Sequence, residues 1–576
     1  MKKLLVVLAV LMLAMFALTA CGDGDDAVDA GDPHPLAGTV NRYGWEVPEQ
    51  TLRFELFTGQ GNMHDFNADE RGARALKDAW LLEHMNVVID RVMFDNDMAS
   101  QLTLMLVAGD YPEVITNMPG ASASTFASQG RAINLMPYMD SYGYNFTRRM
   151  GDYLGLLMTE DGHLYTLPVN WGETPNVAGW DFGIRHDLWL QTGRPIHDTP
   201  EEFFDNLVAV LELHPTNEAG ERSFAIGSPG DEGLGLLTAN LTAAGFHGTR
   251  YRHNPDGTFT HWTASQEARD IAVFMNRMWR EGMIHPDYLS MTYEDYIAHL
   301  SNGRILGNLG TWWHAWVGGH EIWSVENPDW CTTERFMNVT IAWPGTPKDQ
   351  TRLLTYNFIG ANRAIITDQT DQASDILRFI NWQASELGNM ITGWGPPMES
   401  NNWDIAPDGT WLVCDNIMNI AQKNIYFHEV RMNHAANMYN IAVNGGWFRT
   451  DGRSNFDMID PRVTRVSIWD YWPVDPTTGE FADEGINIAW GYYRAPAFDA
   501  TLYTVVWDTD SQVHLNNTSI YGNERTWWAE ILTAGSEADA LAALDRAAAH
   551  AETLGVRDVE LFFQEQMATN RALLGN

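Results

Sequence analysis

The sequence predicts an α/β fold divided into more than one domain, and three observations support this prediction. Stretches with strand, helix and strand periodicity alternate in the first part of the chain, which favours a parallel sheet with crossover helices. Capped amphipathic helices follow in the middle and near the C-terminal end. Finally, 576 residues with 45% hydrophobic composition can build large cores and exceed the usual size of one domain.

The first residues have the pattern of an export signal. Two lysines precede an apolar run at 4–18 that is too short for a comfortable membrane span. The sequence "LTAC" then places a small residue before cysteine and resembles the bacterial lipobox, in which the cysteine is lipidated and becomes the mature N-terminus. We therefore predict a signal peptide at 1–20 and lipidation of Cys21, which anchors the chain without a transmembrane helix. The alternative is a plain signal peptide followed by an unrelated cysteine.

The segment 21–50 is predicted to be an acidic flexible linker. It is rich in Asp, Gly and Pro, has little apolar surface to bury, and has no fixed spacing of carboxylates that would favour a calcium site. The formal net charge of −39 becomes −41 once the two lysines of the signal peptide are removed. A field of this sign repels nucleic acid, so we expect no nucleic-acid partner. Cys331 and Cys414 are free to pair in an exported protein, but nothing in the sequence requires it.

The first predicted strands and helices alternate along the chain in two consecutive groups. Alternating apolar and polar residues predict a strand at 51–57, a helix at 73–85 and a second strand at 86–94. A second helix follows, ended by Gly109, and "EVIT" (113–116) reads as a short buried strand. The apolar face of that second helix is formed by Leu102, Met105 and Leu106.

Four further helices have clear boundaries. The helix at 199–214 begins with a capping box, in which Thr199 and Glu202 satisfy each other's backbone amides and Pro200 occupies the first turn. The helix before Gly282 ends at that glycine. The other two helices lie at 371–388 and 536–555. The predicted inward faces are Phe203, Phe204, Leu207, Val208 and Leu211; Ile271, Phe274, Met275 and Met278; Ala373, Ile376, Leu377, Ile380 and Ala384; and Leu541, Leu544, Ala548 and Leu554. Residues 390–525 are rich in aromatics, Gly, Pro and Asn and predict only loops, short helices and a few strands.

The order of several segments resembles that of a known family. They are "LVAGDYPEVI", "DGHLYTLPVN", "IRHDLWLQTGRPIHDTPEEFFDNL", "REGMIHPDYLSMTYEDYIAHLSNGRILGNLG" and "GSEADALAALDRAAAHAETLGVRDV". In this order they resemble the extracellular solute-binding lipoproteins of bacterial ABC importers (family 1), in particular the large oligosaccharide-binding branch. The resemblance spans nearly the whole mature chain and rests on order and spacing rather than on one specific motif.

The resemblance implies a two-lobed α/β fold like that of periplasmic binding proteins, with a hinge and an interlobe cleft. The implied domains are the signal peptide 1–20, the linker 21–50, the N-lobe from 51–165 and 318–368, and the C-lobe from 166–317 and 369–576, the last part including the C-terminal helices.

Metal sites are not expected. Some relatives carry an EF-hand-like calcium loop after the capped helix, but here Asn217, Glu218 and Glu221 do not supply alternating carboxylates. His428 and His434 in "HEVRMNH" lie six residues apart, which does not put both on one helical face as a zinc-binding HExxH motif does. No cofactor is expected either.

The implied function is the capture of an oligosaccharide by hinge closure and its delivery to the transmembrane subunits of an ABC permease. The protein is then a monomer on the extracellular face of the cell membrane and not an enzyme. A secreted glycan-active hydrolase is the alternative, because a glycosidase needs only two carboxylates and the chain has 75 Asp and Glu residues. A binding protein for peptides rather than sugars is a further alternative.

Candidate ligand contacts lie where loops should leave strands, since open α/β sheets bind ligands beyond the carboxyl ends of their strands. Aromatic rings stack on the C–H faces of sugars, and amides and carboxylates bind the hydroxyl groups. Adjacent tryptophans in "GNLGTWWHAW" cannot both face one side of an extended backbone, so one lines the cleft while its neighbour packs into a lobe. The candidates are Gln60, Asn62, Asn117, Asn170, Trp171, Trp180, Asp181, Arg185, Trp312, Trp313 and Trp394.

Overall fold

The structure is a computed structural model that describes most of the chain outside the N-terminal segment and the region 414–496. The described residues are 34–58, 73–92, 98–169, 171, 181–193, 197–229, 234–246, 250–310, 314, 317–318, 322–323, 336–338, 344, 346, 354–360, 362–394, 403–405, 411–413 and 497–575. The predictions for 1–20, Cys21, residues 22–33 of the linker, Cys331, Cys414 and "HEVRMNH" lie outside them. Residues 34–50 differ from the predicted flexible linker, because Tyr43, Trp45 and Val47 are buried in one hydrophobic core with Phe54. No helix in these ranges is long and apolar enough to cross a membrane.

The described strands and helices alternate in the first part of the chain, as expected for an α/β protein. The strands are β1 (Leu52–Thr58), β2 (Val87–Val92), β3 (Val114–Pro119), β4 (Leu167–Val169), β5 (Asp181–Arg185), β6 (Tyr251–His253), β7 (Phe259–His261), β8 (Gly307–Gly310), β9 (Phe336–Asn338), β10 (Leu354–Tyr356), β11 (Asn362–Ile366), β12 (Trp403–Ile405), β13 (Trp411–Val413) and β14 (Ala497–Asp499). The α-helices are α1 (Ala73–Met85), α2 (Met98–Ala108), α3 (Gly120–Ser128), α4 (Met136–Tyr142), α5 (Tyr144–Met150), α6 (His186–Gln191), α7 (Pro200–Leu213), α8 (Gly235–Ala243), α9 (Gln266–Arg280), α10 (Tyr293–Ser301), α11 (Ala373–Gln383), α12 (Glu386–Trp394), α13 (Gln512–Leu532), α14 (Glu537–Thr553) and α15 (Val556–Leu573). Three 3₁₀ helices are also described, at Gly151–Leu157, Trp262–Ala264 and Thr501–Tyr503.

The first lobe is built on a five-stranded sheet with the order β2-β1-β3-β11-β4. β1 pairs in parallel with β2 and β3, whereas β11 runs antiparallel to β3 and β4. Along β1, Phe54 packs into the core on one face of the sheet and Phe57 into a smaller core on the other, while Arg53 and Glu55 are exposed. Both faces of the sheet therefore pack against a core, but the Phe57 face is exposed at the start of β1, where Arg53 and Glu55 lie.

The second lobe has its own core. A three-stranded sheet of order β8-β5-β9 packs with helices α9, α13, α14 and α15 around Trp189, Phe274 and Trp528, all in one hydrophobic cluster. Isolated parallel bridges extend this sheet, because Phe224 pairs with Ile305 and Gly227 pairs with Asn308. The two lobes thus bury two separate sets of apolar side chains.

A buried polar network joins helix α13 to the hairpin of β6 and β7. The Glu524 carboxylate accepts hydrogen bonds from Arg250 Nε at 3.2 Å, His261 Nε2 at 3.3 Å and Trp262 Nε1 at 2.7 Å. Burial alone raises the pKa of Glu524, but the Arg250 charge and these donors outweigh it and hold that pKa below its usual value. The network keeps an ionised carboxylate satisfied inside the second lobe.

The predicted helix boundaries are confirmed at several positions. Thr199 Oγ1 accepts from Glu202 N, and the Glu202 carboxylate accepts from Thr199 N, which completes the capping box of α7. Gly109 and Gly282, with φ of 70° and 69°, end α2 and α9 in the left-handed conformation that glycine tolerates best. The predicted inward residues of α9 and α11 are all buried.

The inward face of α14 differs from the prediction. Leu541, Ala548 and Leu554 are only half-buried, and of the four predicted residues Leu544 alone is buried. The buried face consists mainly of alanines, namely Ala540, Ala543, Ala547 and Ala551. Small side chains allow α14 to approach α9 and α13 closely, and a rule that looks for large apolar residues misses such a face.

The lobe boundaries also differ from the expected ones. Helix α11, expected in the second lobe, buries Ile376, Leu377 and Phe379 in the core of the first lobe. Conversely, β9 lies in the segment expected for the first lobe but pairs with β5 in the second-lobe sheet. An amphipathic pattern identifies a buried face but not the sheet that it packs against, because that choice depends on contacts distant in sequence.

The chain passes between the two cores three times. Core residues lie in the first lobe up to Trp171, in the second from Ile184 to Leu309, in the first from Phe358 to Ile391, and in the second from Tyr503 onward. We call the connections 172–183, 310–357 and 392–502 the first, second and third crossings. The second and third are joined, since β10 pairs in parallel with β14.

Candidate ligand-binding site

The carboxyl ends of three strands meet at one edge of the first-lobe sheet. Thr58 at the end of β1 lies opposite Thr116 in β3, and Pro119 at the end of β3 lies opposite Asn362. Val169 at the end of β4 also pairs with Asn362. This edge is where open α/β sheets bind ligands, and the first crossing leaves from it.

Asn117 is a polar side chain at this edge. Its φ of 55° lies in the left-handed region, which asparagine tolerates better than most residues. Its Nδ2 donates to Thr58 Oγ1 at 3.2 Å and so links the ends of β3 and β1. Asn117 is half-buried. Unusual backbone conformations of this kind are concentrated at functional sites, and the predicted ligand role of Asn117 remains a prediction.

Trp171 occupies the core of the first lobe. It is 1% exposed, and its ring centroid lies 5.6 Å from that of Phe146 and 6.3 Å from that of Phe358. The Arg149 guanidinium carbon lies 5.5 Å from the centroid of the same indole. The structure therefore shows packing for Trp171, at the start of the first crossing, rather than an open ring face.

Arg185 has a carboxylate partner within the second lobe. Its Nε and Nη2 donate to the two oxygens of Asp187 at 3.1 and 2.9 Å, in a bidentate pair that is largely buried. Such a pair satisfies the guanidinium fork and fixes the start of α6 against β5. Arg185, a candidate ligand contact, thus binds the carboxylate of its own chain's Asp187 in this structure.

A corresponding edge exists in the second-lobe sheet. Asp181 at the start of β5 lies opposite Gly310 at the end of β8, so the first crossing arrives where the segment "TWWHAW" departs. Ser228 follows the bridge between Gly227 and Asn308. Ser228 is fully buried, and a Cβ on Gly235 would lie 2.0 Å from its Oγ, which explains the glycine there.

His314 is the described residue of "TWWHAW". It is buried, and its ring centroid lies 5.6 Å from that of Tyr293 and 5.4 Å from that of Tyr296 on α10. Tyr296 in turn donates its hydroxyl to Asn308 Oδ1 at 2.6 Å. These contacts place the His314 ring against α10, a role that the sequence analysis did not assign to this residue.

The remaining eight candidates lie outside the described side chains. Asp181 and Trp394 lie in described elements, β5 and α12, but their side chains are not among those described. The candidates outside the described residues are Gln60, Asn62, Asn170, Trp180, Trp312 and Trp313.

Arg363 in β11 is a polar feature that the sequence analysis missed. Its Nη1 donates to the carbonyl oxygens of Ile359, Gly360 and Asn362 at 3.2, 3.1 and 2.8 Å. No acidic side chain in the described chain pairs with it, and burial lowers its pKa to about 10. A single arginine forms no sequence motif, so the sequence could not predict the buried position of Arg363.

A small pocket lies beside Arg363, between α3 of the first lobe and the chain that follows the third crossing. Hydroxyl groups and one guanidinium make up its polar lining, with apolar side chains on the remaining walls. The lining residues are Gly120, Ser124, Ala127, Leu157, Thr159, Tyr165, Thr166, Arg363, Val505 and Val506.

The loop at 215–222, where some relatives bind calcium, is closed by its own hydrogen bonds. Asn217 Nδ2 donates to the Glu221 carboxylate at 3.0 Å, and Asn217 Oδ1 accepts from Glu221 N at 2.9 Å. Across the described ranges, no group of three or more His, Cys, Asp or Glu side chains is arranged to hold a metal.

Comparisons with known proteins give a consistent result for the fold. No protein-family model matches the chain, and no curated protein matches it in sequence. The structure resembles the Streptococcus pneumoniae ABC-transporter substrate-binding protein FusA, an EF-hand mutant in complex with fructo-nystose, with a TM-score of 0.63 and 15% identity over 90% of this chain and 99% of that one.

Two further structures are similar. The alginate-binding protein AlgQ2 without calcium ion gives a TM-score of 0.63 with 13% identity over 91% of this chain and 99% of that one. An HMO-binding solute-binding protein from Bifidobacterium longum infantis, associated with an ABC transporter, gives a TM-score of 0.53 with 16% identity over 90% and 98%. Two cores, three crossings and these likenesses over nearly the full chains lead to one conclusion: the chain has the two-lobed α/β fold of the solute-binding proteins of ABC transporters.

Proposed function

We propose that this protein is a lipid-anchored solute-binding protein that captures an oligosaccharide between its two lobes and delivers it to an ABC permease. The observation that carries the proposal is the division of the chain into two cores linked by three crossings. This arrangement suits hinge closure, in which two rigid lobes move about a few connecting residues and bury a ligand between them.

The proposed ligand class rests on the chemistry of the chain and on what the similar proteins bind. The sequence has 24 Trp and 19 Tyr residues, which supply flat apolar surfaces for sugar rings. The similar proteins bind fructo-nystose, alginate and HMO, respectively. We propose that Asn117, at the sheet edge, and Trp312 or Trp313, beyond β8, contribute to the site.

The proposed location is the extracellular face of the cell membrane. Support comes from the apolar run at 4–18 and from the lipobox-like "LTAC" that ends at Cys21. The proposed partners are the transmembrane subunits of a permease. We propose that the protein is a monomer, since solute capture by hinge closure needs only one chain.

A thermal-shift panel with product analysis tests the proposal. The probes are kestose, nystose, alginate oligosaccharides, human milk oligosaccharides and a control set of oligopeptides. A ligand that binds only the folded protein stabilises it by about 2.7 kcal/mol at one hundred times its Kd, so a true ligand raises the Tm with the logarithm of its concentration.

The outcomes separate the alternatives. A Tm increase with an intact oligosaccharide supports the binding protein, whereas shorter products in the same mixture indicate a glycan-active hydrolase. A Tm increase with peptides alone would overturn the sugar assignment and support a binding protein for peptides.

A further inference from the structure

The chain at 500–509, which we call the exit segment, contacts both lobes where the third crossing ends. Thr501 Oγ1 accepts from Phe358 N of the first lobe at 2.9 Å, and Thr509 Oγ1 donates to Ser128 Oγ on α3 at 2.7 Å. Between these contacts, Tyr503 packs edge-on against Phe259 in the second core, with centroids 5.7 Å apart. The middle of the exit segment thus belongs to the second lobe, and its two ends contact the first.

Asn570 on helix α15 holds the middle of the exit segment. Its side chain is 3% exposed, and Nδ2 donates to the carbonyl oxygens of Leu502 at 2.8 Å and Thr504 at 3.0 Å. Its Oδ1 accepts from Gln566 Nε2 at 2.9 Å, which fixes the orientation of the amide. Both amide hydrogens are used, so neither an aspartate nor an apolar residue can replace this group.

The same helix reaches the first lobe at its C-terminal end. A Cβ on Gly155 would lie 2.9 Å from Leu573 Cδ2, so Leu573 lies directly over that glycine. The next residue, Leu574, packs against the core of the first lobe. Helix α15 also buries Val559 and Phe563 in the second core. The same helix therefore contacts both lobes, and its Asn570 binds the exit segment between them.

We infer that Asn570 is a positioning residue of the hinge, which fixes the exit segment to α15 and so limits the relative orientations of the two lobes. The inference rests on the proposed function in that it assigns hinge motion to these lobes. Backbone rotations that change the interlobe angle must occur outside the gripped residues, because moving the carbonyls of 502 and 504 breaks two buried hydrogen bonds.

The chain offers a matched control in Asn276 on α9. This residue is also fully buried, and its Nδ2 donates to the carbonyl oxygens of Leu532 at 3.1 Å and Ala534 at 2.7 Å. Its Oδ1 accepts from Arg280 Nε at 2.8 Å. Asn276 therefore makes the same kind of clamp, but wholly within the second lobe.

Spin-label distances between the lobes test the inference without any ligand. The labels are placed at Asp140→Cys on α4 and Asp205→Cys on α7, both exposed, in a mature chain that carries Cys21→Ser, Cys331→Ser and Cys414→Ser. We expect Asn570→Ala to widen the interlobe distance distribution by at least about 1.5-fold, because it releases alternative lobe orientations. Asn276→Ala should leave the width unchanged at a comparable loss of Tm.

Equal widths for the two variants would overturn the inference. If Asn570→Ala does not fold, Asn570→Asp, which keeps the shape and loses the donors, is scored by the same criterion. A kestose titration separates this inference from the proposed function. A wider distance distribution in a protein that binds no glycan supports the hinge role of Asn570 and counts against sugar capture. Unchanged widths in a protein that binds kestose tightly support sugar capture and count against the hinge role.

Discussion

At the scale of single residues, Trp171 shows how one side chain can satisfy a sequence pattern for a reason other than binding. It follows a strand that leads into a crossing, where ligand contacts are expected, yet its ring is enclosed by Phe146, Phe358 and Arg149. Proximity to a site in sequence does not determine which way a side chain points, because that is settled by the packing of residues distant in sequence.

We expect Trp171→Ala to lower the free energy of unfolding by about 3–5 kcal/mol, since it removes a large buried ring and leaves a cavity. Trp171→Phe, which keeps part of the ring, should cost clearly less. Urea denaturation measures both. Unchanged stability together with a lost response to glycans would instead place the ring in the binding site.

A second residue-scale feature is the stacked pair of His285 and His299, whose ring centroids are 4.6 Å apart. Burial, followed by the charges of His299 and Arg304, lowers the pKa of His285 to about 4, and burial and Arg304 also lower the pKa of His299. Asp287 acts in the opposite direction and has the smallest effect on this pKa. Both rings are therefore neutral in the folded protein near neutral pH.

The sign of the pH dependence follows from these lowered pKa values. Between the ordinary histidine pKa of about 6.5 and a pKa of about 4, the unfolded chain binds a proton at His285 that the folded chain does not. Stability contributed by this residue is therefore complete above about pH 6.5 and is lost as the pH falls towards 4. We expect the Tm of His285→Gln to fall less steeply than that of the unaltered protein over this range; parallel curves would contradict the assignment.

At the scale of elements, capping and alternation identified six of the fifteen described α-helices, namely α1, α2, α7, α9, α11 and α14, together with the first strands. The reason is local: a capping box, a glycine with positive φ and a one-sided apolar stripe act within a few residues of each other. The alanine-rich face of α14 was missed because alanine is a good helix former that is common on exposed surfaces too, so its burial depends on how closely the neighbouring helix approaches.

We expect Ala543→Leu on α14 to destabilise the second lobe by about 1–3 kcal/mol, because the added atoms must fit between closely packed helices. Ala549→Leu, on the exposed side of the same helix, is the control and should change stability by no more than about 0.5 kcal/mol. Chemical denaturation of the two variants is the measurement. Equal effects would show that the packing against α9 and α13 is loose.

At the scale of the whole molecule, two lobes with separate cores are held by three crossings and by α15, which contacts both lobes. The separate cores favour rigid lobes that move about a hinge, and Asn570 and Leu573 restrict that movement at one side.

The proposed lipid anchor at Cys21 gives a prediction at this scale. We expect the exported wild-type chain to partition into the detergent phase of a cloud-point extraction, because two acyl chains are sufficient for stable anchoring. Cys21→Ser should move the protein to the aqueous phase. Aqueous partitioning of the wild type would rule out lipidation and leave a plain signal peptide.

The sequence by itself determined the α/β class, the capped helices and the first parallel strands, because those features depend on periodicity and on residues close together in the chain. The order of its segments also pointed to the two-lobed fold. Only the tertiary structure decided that α11 packs in the first lobe, that β9 pairs with β5 and that Asn570 binds the exit segment. Each of these depends on which surfaces meet in three dimensions, and a one-dimensional pattern records that a face is buried without recording its partner.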